Sequence, residues 1–270
     1  MLLRGMRRWV VAGAVALAVV VLAGALPRGA AAEAPAAAVA PAQLRVEVLE
    51  TLPHDPGAFT QGLVWHAGLL LESTGLPGRS SLREVEPNTG KVRRRVDLEE
   101  HFFGEGVALV GDRLIQLTWQ HGVALVYDHF RFAETKRFTY EGEGWGLCWD
   151  GRDLVMSDGS SRLFFRDPET FALRRSVEVR LRGQPLARIN ELECVGGSVF
   201  ANVWMTDEIV VIDAKDGTVT AVIDAAGLLT PVERARADVL NGIAHDPKSG
   251  DFYVTGKLWP KLFRVRFVPR

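Results

Sequence analysis

One short pattern recurs five times in this chain and constrains the fold more than any other feature: a polar or aromatic residue, then Gly or Glu, then an apolar run suited to a strand. The copies are Gln61-Gly62-Leu63-Val64, Glu105-Gly106-Val107-Ala108, Trp145-Gly146-Leu147-Cys148, Asn190-Glu191-Leu192-Glu193 and Asn241-Gly242-Ile243-Ala244, spaced 44, 40, 45 and 51 residues apart. Such a period has room for four short strands and their turns, which is the repeat of a β-propeller blade. After each copy comes a turn and a second strand-like run, over 69–74, 113–119, 153–158, 198–204 and 251–257. Third runs follow, for example over 124–127, 162–166, 209–213 and 262–267, and four of the units add a fourth, as at 92–98 and 219–223.

The fifth unit ends with the chain after its third strand. Residues 44–49, Leu-Arg-Val-Glu-Val-Leu, alternate as a strand does and stand before the first repeat with no unit of their own. If they supply the missing outer strand, the ring closes and loses an exposed sheet edge. The sequence therefore predicts an all-β fold, a five-bladed β-propeller of four antiparallel strands per blade with its last blade closed by the N-terminal strand.

Ahead of that domain, expected over 44–270, the chain reads as a targeting segment and a tether. Arg4, Arg7 and Arg8 precede an apolar run over 9–26, and Ala30-Ala31-Ala32 offers small residues to a signal peptidase. Residues 1–32 are thus a signal peptide or, if uncut, an N-terminal membrane anchor, and the Ala/Pro-rich stretch 33–43 is a linker. Either way the domain is expected outside the cytoplasm, periplasmic or secreted. A net charge of −1 and no basic stripe argue against nucleic acid as a partner, and leave the membrane as one only through a retained leader. The domain is expected to be a monomer. Its two cysteines, Cys148 and Cys194, are too few for a disulfide scaffold. They lie three and four residues past the starts of their strands. Alternation points them to opposite faces, which disfavours a bridge between them.

In a propeller the first strand of each blade lines the axis and the second runs back along it, so first-strand starts and second-strand ends share one end of the channel. That geometry gathers Gln61, Glu105, Trp145, Asn190 and Asn241 with Thr118-Trp119, Ser157-Asp158, Trp204 and Lys257. Two long connections emerge there as candidate lids, 182–189 and 225–240. The second should carry a short helix, because Thr230-Pro231-Val232-Glu233 has the form of a capping box with Pro at the first helical position. Three tryptophans at this end stand apart from Trp65, Trp149 and Trp259, which read as packing. The six histidines show no paired ligand spacing, so no catalytic metal is expected, although a structural calcium at the axis stays open. No nucleophile elbow or phosphate-cradling loop occurs. What remains is the carboxyl of Glu105 near amides, a lysine and aromatic walls. An apolar setting of that kind raises a carboxyl's pKa and fits it to move protons near neutrality.

Taken together, Phe59-Thr60-Gln61-Gly62-Leu63, Glu72-Ser73-Thr74-Gly75, Phe103-Gly104-Glu105-Gly106, Leu117-Thr118-Trp119, Glu143-Gly144-Trp145-Gly146-Leu147, Asn190-Glu191-Leu192-Glu193, Ala201-Asn202-Val203-Trp204, Asn241-Gly242-Ile243 and Thr255-Gly256-Lys257 resemble the plant and bacterial type of glutaminyl-peptide cyclotransferase. The resemblance implies a five-bladed propeller that turns the N-terminal glutamine of peptides or proteins into pyroglutamate, releasing ammonia without a catalytic cofactor. It implies an acid/base role for Glu105, with Asn190 and Lys257 assisting catalysis. Phe59, Gln61, Trp119, Trp145 and Trp204 would bind substrate. Two other readings suit the residues: a metal-dependent propeller lactonase or sugar-acid hydrolase, and a non-enzymatic propeller that holds a peptide or glycan.

Overall fold

The computed structural model describes residues 40–270. The export segment expected over 1–32 lies outside them, as does the linker apart from its last four positions. The first strand, β1 (Ala42–Pro53), begins two residues before Leu44.

The described chain is all-β, built from small antiparallel sheets. The first sheet runs β2 (Thr60–His66), β3 (Leu69–Thr74), β4 (Ser81–Val85) and β5 (Val92–Asp97), each strand beside the next. The second repeats this order with β6 (Gly104–Val110), β7 (Arg113–Thr118), β8 (Val123–Asp128) and β9 (Ala133–Thr139), and the third with β10 (Leu147–Trp149), β11 (Leu154–Met156), β12 (Arg162–Arg166) and β13 (Leu173–Glu178). A small hairpin, β14 (Arg180–Leu181) with β15 (Gln184–Pro185), precedes β16 (Ile189–Val195), β17 (Ser198–Val203), β18 (Glu208–Asp213) and β19 (Val219–Asp224). The chain then passes through α1 (Pro231–Arg234) into β20 (Leu240–His245), β21 (Phe252–Gly256) and β22 (Lys261–Pro269). β1 lies antiparallel to β22 and parallel to β19, so it joins the last two groups into one eight-stranded sheet.

The turns follow from local chemistry. Between β16 and β17 both loop residues, Gly196 and Gly197, have positive φ (57° and 85°), the twist a two-residue hairpin needs and one that side chains resist. α1 is set by the capping box read from the sequence: Glu233 N donates to Thr230 Oγ1 at 3.4 Å, and Thr230 N donates back to Glu233 Oε2 at 2.9 Å.

Packing is organised between sheets. Leu71 and Leu82 of the first sheet meet Leu114 and Leu125 of the second, while Ile115 and Val126 of the second meet Leu154 and Met156 of the third. Val155 and Phe165 meet Val199 and Val210; Ile209 and Val211 meet Val254 and Phe263; Tyr253 and Leu262 return to Leu63 and Leu70. Neighbouring residues of one strand thus serve different clusters, which is why central strands such as β3 and β7 are buried on both faces. Leu71 and Leu114 are both 0% exposed, and cutting either to Ala should cost about 2–5 kcal/mol.

The same arrangement corrects the cysteine expectation. Cys148 and Cys194 are bonded, with Cα atoms 5.5 Å apart. They do point to opposite faces of their own strands, but the far face of one sheet is packed on the near face of the next, so opposite faces of neighbouring sheets are the ones that meet. The bridge closes a separation of 46 residues, for which chain entropy gives about 4 kcal/mol of stabilisation.

The strands that begin each group also contact one another in a cycle: β2 with β6, β6 with β10, β10 with β16, β16 with β20, and β20 with β2. Their close approach explains the recurring glycine. A Cβ on Gly62 would lie 2.6 Å from Val107 N, and one on Gly106 would strike the backbone of Leu147. Where the fourth copy carries Glu191 in that slot, the side chain is used as a staple: Leu63 N donates to Oε1 at 3.2 Å and Ile243 N to Oε2 at 2.8 Å.

Candidate active site

Each of these first strands opens with a β-bulge. Register shifts fall between Thr60 and Gly62, Gly104 and Val107, Ile189 and Leu192, and Leu240 and Ile243. In the third sheet Trp145 N donates to Ser157 O and Ser157 N to Gly146 O, both at 3.0 Å, so two residues again face one. A bulge re-aims the side chain it carries. Here it turns Gln61, Glu105, Trp145 and Asn190 into a single cavity of about 470 Å³. The ends of the second strands complete it, with Trp119 after β7, Trp204 after β17 and Lys257 after β21. Phe59, ahead of β2, is the last of the expected residues, so all of them line one space.

Glu105 is 4% exposed. Burial lifts its pKa well above the carboxylate range, opposed by the charge of Lys257 and reinforced by that of Glu143. Gln61 Nε2 donates to Glu105 Oε1 at 3.2 Å, and Gln61 Oε1 in turn accepts from Asn241 Nδ2 at 3.3 Å. Both ends of the Gln61 amide are therefore engaged by protein, one of them on the Glu105 carboxyl. From behind, Ser73 Oγ donates to the Glu105 carbonyl and itself accepts from Gln116 Nε2 at 2.7 Å.

Lys257 is 5% exposed. Burial holds its pKa below the usual lysine value against the pull of Glu105 and Asp238. It acts on Glu105 through space, with no hydrogen bond between them. Its Nζ lies 5.0 Å from the centre of the Phe59 ring, a cation–π contact. Asn190 contributes the opposite polarity. Its backbone carbonyl is held by Ser157 Oγ at 2.6 Å, while its side-chain Oδ1 is buried with no partner. An unpaired buried acceptor costs about 1–3 kcal/mol.

The walls are aromatic. Trp145 and Trp204 meet edge to face at 5.6 Å, as do Phe103 and Trp119, and Phe59 meets Phe103 at 6.0 Å. A deep carboxyl with a lifted pKa, a lysine and an amide in the same lining, and a ring wall suit proton transfer within a small polar group held by apolar surfaces.

The sequence pattern of the glutamine cyclotransferase family matches residues 18–267. The chain belongs to that family. It is 42% identical to a glutaminyl-peptide cyclotransferase of Arabidopsis thaliana over 227 residues, covering 82% of this chain and 71% of the relative. Among solved structures it is similar to glutaminyl cyclase of Myxococcus xanthus, with a TM-score of 0.78 at 42% identity over 85% of this chain and 99% of the other.

Three lining residues of this glutamine cyclotransferase family member had not been singled out: Phe103, Met205 and Asp238. A positional signal existed for the first. Phe59 stands two residues before Gln61 and Phe103 two before Glu105, so the same slot of two repeats faces the cavity. In the third repeat that slot is Glu143, whose Oε2 accepts from the indole nitrogens of Trp119 and Trp145 at 2.8 and 2.9 Å. Asp238 comes from the connection 225–240, where Asp238 N donates to Lys257 O at 2.8 Å. The other expected lid, 182–189, forms part of the β14–β15 hairpin and adds no lining residue. Among the described residues no group of three or more His, Cys, Asp or Glu is placed to hold a metal ion.

Proposed function

We propose that this protein converts the N-terminal glutamine of a peptide into pyroglutamate with release of ammonia, in the mouth of a five-bladed β-propeller. The propeller reading is supported by the cycle of first-strand contacts and by core clusters that link each sheet to the next and return to the first. The family membership and both relatives support the activity. The observation that carries the chemistry is the gap between Glu105 and Lys257, two buried titratable groups that line one cavity with no hydrogen bond between them.

In that gap the substrate's neutral α-amine attacks its own side-chain amide carbon. A C–N bond forms, and Glu105 takes one proton from the attacking nitrogen. The same carboxyl returns that proton to the amide nitrogen, which leaves as ammonia when its C–N bond breaks. A carboxyl with a lifted pKa suits both halves of this exchange. Lys257 stabilises the oxygen that gains charge in the tetrahedral intermediate, and the Asn190 side-chain amide orients the substrate amide. Trp119, Trp145 and Trp204 hold the flexible side chain folded toward its own amine, which supplies acceleration because the attack is intramolecular. Gln61 steadies Glu105, and Phe59 backs Lys257. The Cys148–Cys194 bridge supports an oxidising, extracytoplasmic location.

The test is direct. Purified protein is incubated with a dipeptide that begins with glutamine, and the product is weighed by mass spectrometry. Loss of one ammonia and of the free amine is expected. Binding of the peptide without that loss would reduce the protein to a peptide-binding propeller.

A further inference from the structure

We infer that Glu143 is a positioning residue of this site, a single carboxylate that ties two walls of the aromatic slot together and fixes their separation. Trp119 follows β7 and Trp145 precedes β10, so the two rings come from different sheets. Both indole nitrogens donate to the same oxygen, Glu143 Oε2, while Oε1 accepts from Gln120 Nε2 at 3.0 Å. The loop is anchored to the far wall by its backbone as well, since Gly144 N donates to Trp119 O at 2.9 Å. Packing alone does not hold the outer ring: Trp119 is 37% exposed. The carboxylate meets only N–H donors and forms no ion pair, so its geometry is spent on the two rings. Each ring carries a second aromatic with it, Phe103 against Trp119 and Trp204 against Trp145. Losing Glu143 therefore loosens the whole wall.

This inference rests on the reading that Trp119 and Trp145 enclose the substrate side chain. Its test compares Glu143→Ala and Glu143→Gln in the full-length protein, with two readouts: turnover of a Gln-initiated dipeptide, and hydrogen exchange of the indole N–H protons. The indole signals are assigned by Trp119→Phe and Trp145→Phe. In Glu143→Ala both indole protons should exchange faster, and kcat/KM should fall by between about tenfold and about a hundredfold. The thermal midpoint should stay near wild type, because the freed donors face water. Glu143→Gln keeps an oxygen for both rings and should recover most of the activity and the exchange protection. Glu143→Ala with unchanged exchange and unchanged kcat/KM overturns the inference, as does a Glu143→Gln variant impaired as badly as Glu143→Ala while its indoles stay protected. If wild-type protein releases no ammonia, the proposed function fails instead, and the exchange measurement still decides whether Glu143 holds the rings.

Discussion

Glu72 and Glu105 are buried carboxyls on neighbouring sheets, 1% and 4% exposed, and the structure treats them in opposite ways. Glu72 accepts from Arg83 at 2.5 Å, Thr60 at 2.7 Å and His54 at 3.0 Å. Burial alone would raise its pKa, but the charges of Arg83 and His54 overcome it and hold the group well below the carboxylate range. Glu105 has one amide N–H from Gln61 and the charge of Lys257 acting without a hydrogen bond, and burial wins. Two carboxyls with equal burial are thus tuned apart by their partners. The first is tied into the scaffold beneath the cavity, and the second is left able to change its proton.

The sharpest way to break this comparison is to neutralise each carboxyl in turn. Glu105→Gln should cut kcat by about 10²–10⁴-fold while the protein melts at or above the wild-type temperature. Loss of folding in this variant, or near-normal ammonia release, would put Glu105 in the same class as Glu72.

Glu72→Gln should do the reverse. It leaves the Arg83 cation, 3% exposed, with the half-exposed Asp55 at 2.7 Å as its remaining carboxylate, and should destabilise the fold by about 3 kcal/mol as read by denaturant melts. The pH dependence sharpens the point. Glu72 has a depressed folded pKa, so its contribution is present above its ordinary value of 4.5 and is lost as pH falls through the folded one. His54 donates Nδ1 to the Trp259 carbonyl at 2.7 Å and Nε2 to Glu72; burial opposes its charge, yet Glu72 leaves its pKa raised. Its contribution is present below the ordinary value of 6.5 and is lost as pH rises through the folded one. Glu72→Gln should flatten both slopes; an unchanged acid limb would show that the network is not what holds the fold at low pH.

These contrasts mark what was legible in the sequence. The repeat, its strands and the end of the molecule where Glu105, Asn190 and Lys257 gather were readable, because apolar alternation and a fixed spacing are properties of the chain itself. The bulges were not, since an extra residue in a ladder shows only when its partner strand is known. They are what aims Gln61, Glu105 and Asn190 into the cavity. Glu143 escaped for a related reason: its value depends on two indoles from different sheets reaching one oxygen. The cysteines were read on the right faces, but which faces meet is a property of how sheets stack.

Lys257→Met should have the next smaller effect. It removes a buried cation that costs stability, so the thermal midpoint should hold or rise. If Lys257 stabilises the developing oxyanion, kcat should fall with little change in KM. A rise in KM alone would make it a substrate anchor.

The smallest effect is expected at Glu193, a third carboxyl on the same inner strand as Asn190. Burial lifts its pKa to about 8, with only the His245 N–H at 3.0 Å favouring the ionised form. A carboxyl whose folded pKa lies above its unfolded value of 4.5 binds more protons in the native state across that interval. Its share of stability is therefore present below 4.5 and is lost as pH rises toward 8. Glu193→Gln should match wild type at the acid end and exceed it near pH 8, with turnover unchanged because the side chain does not line the cavity. Parallel stability curves for the two proteins across that range would mean that Glu193 ionises freely within the fold, and that its burial does not set its protonation.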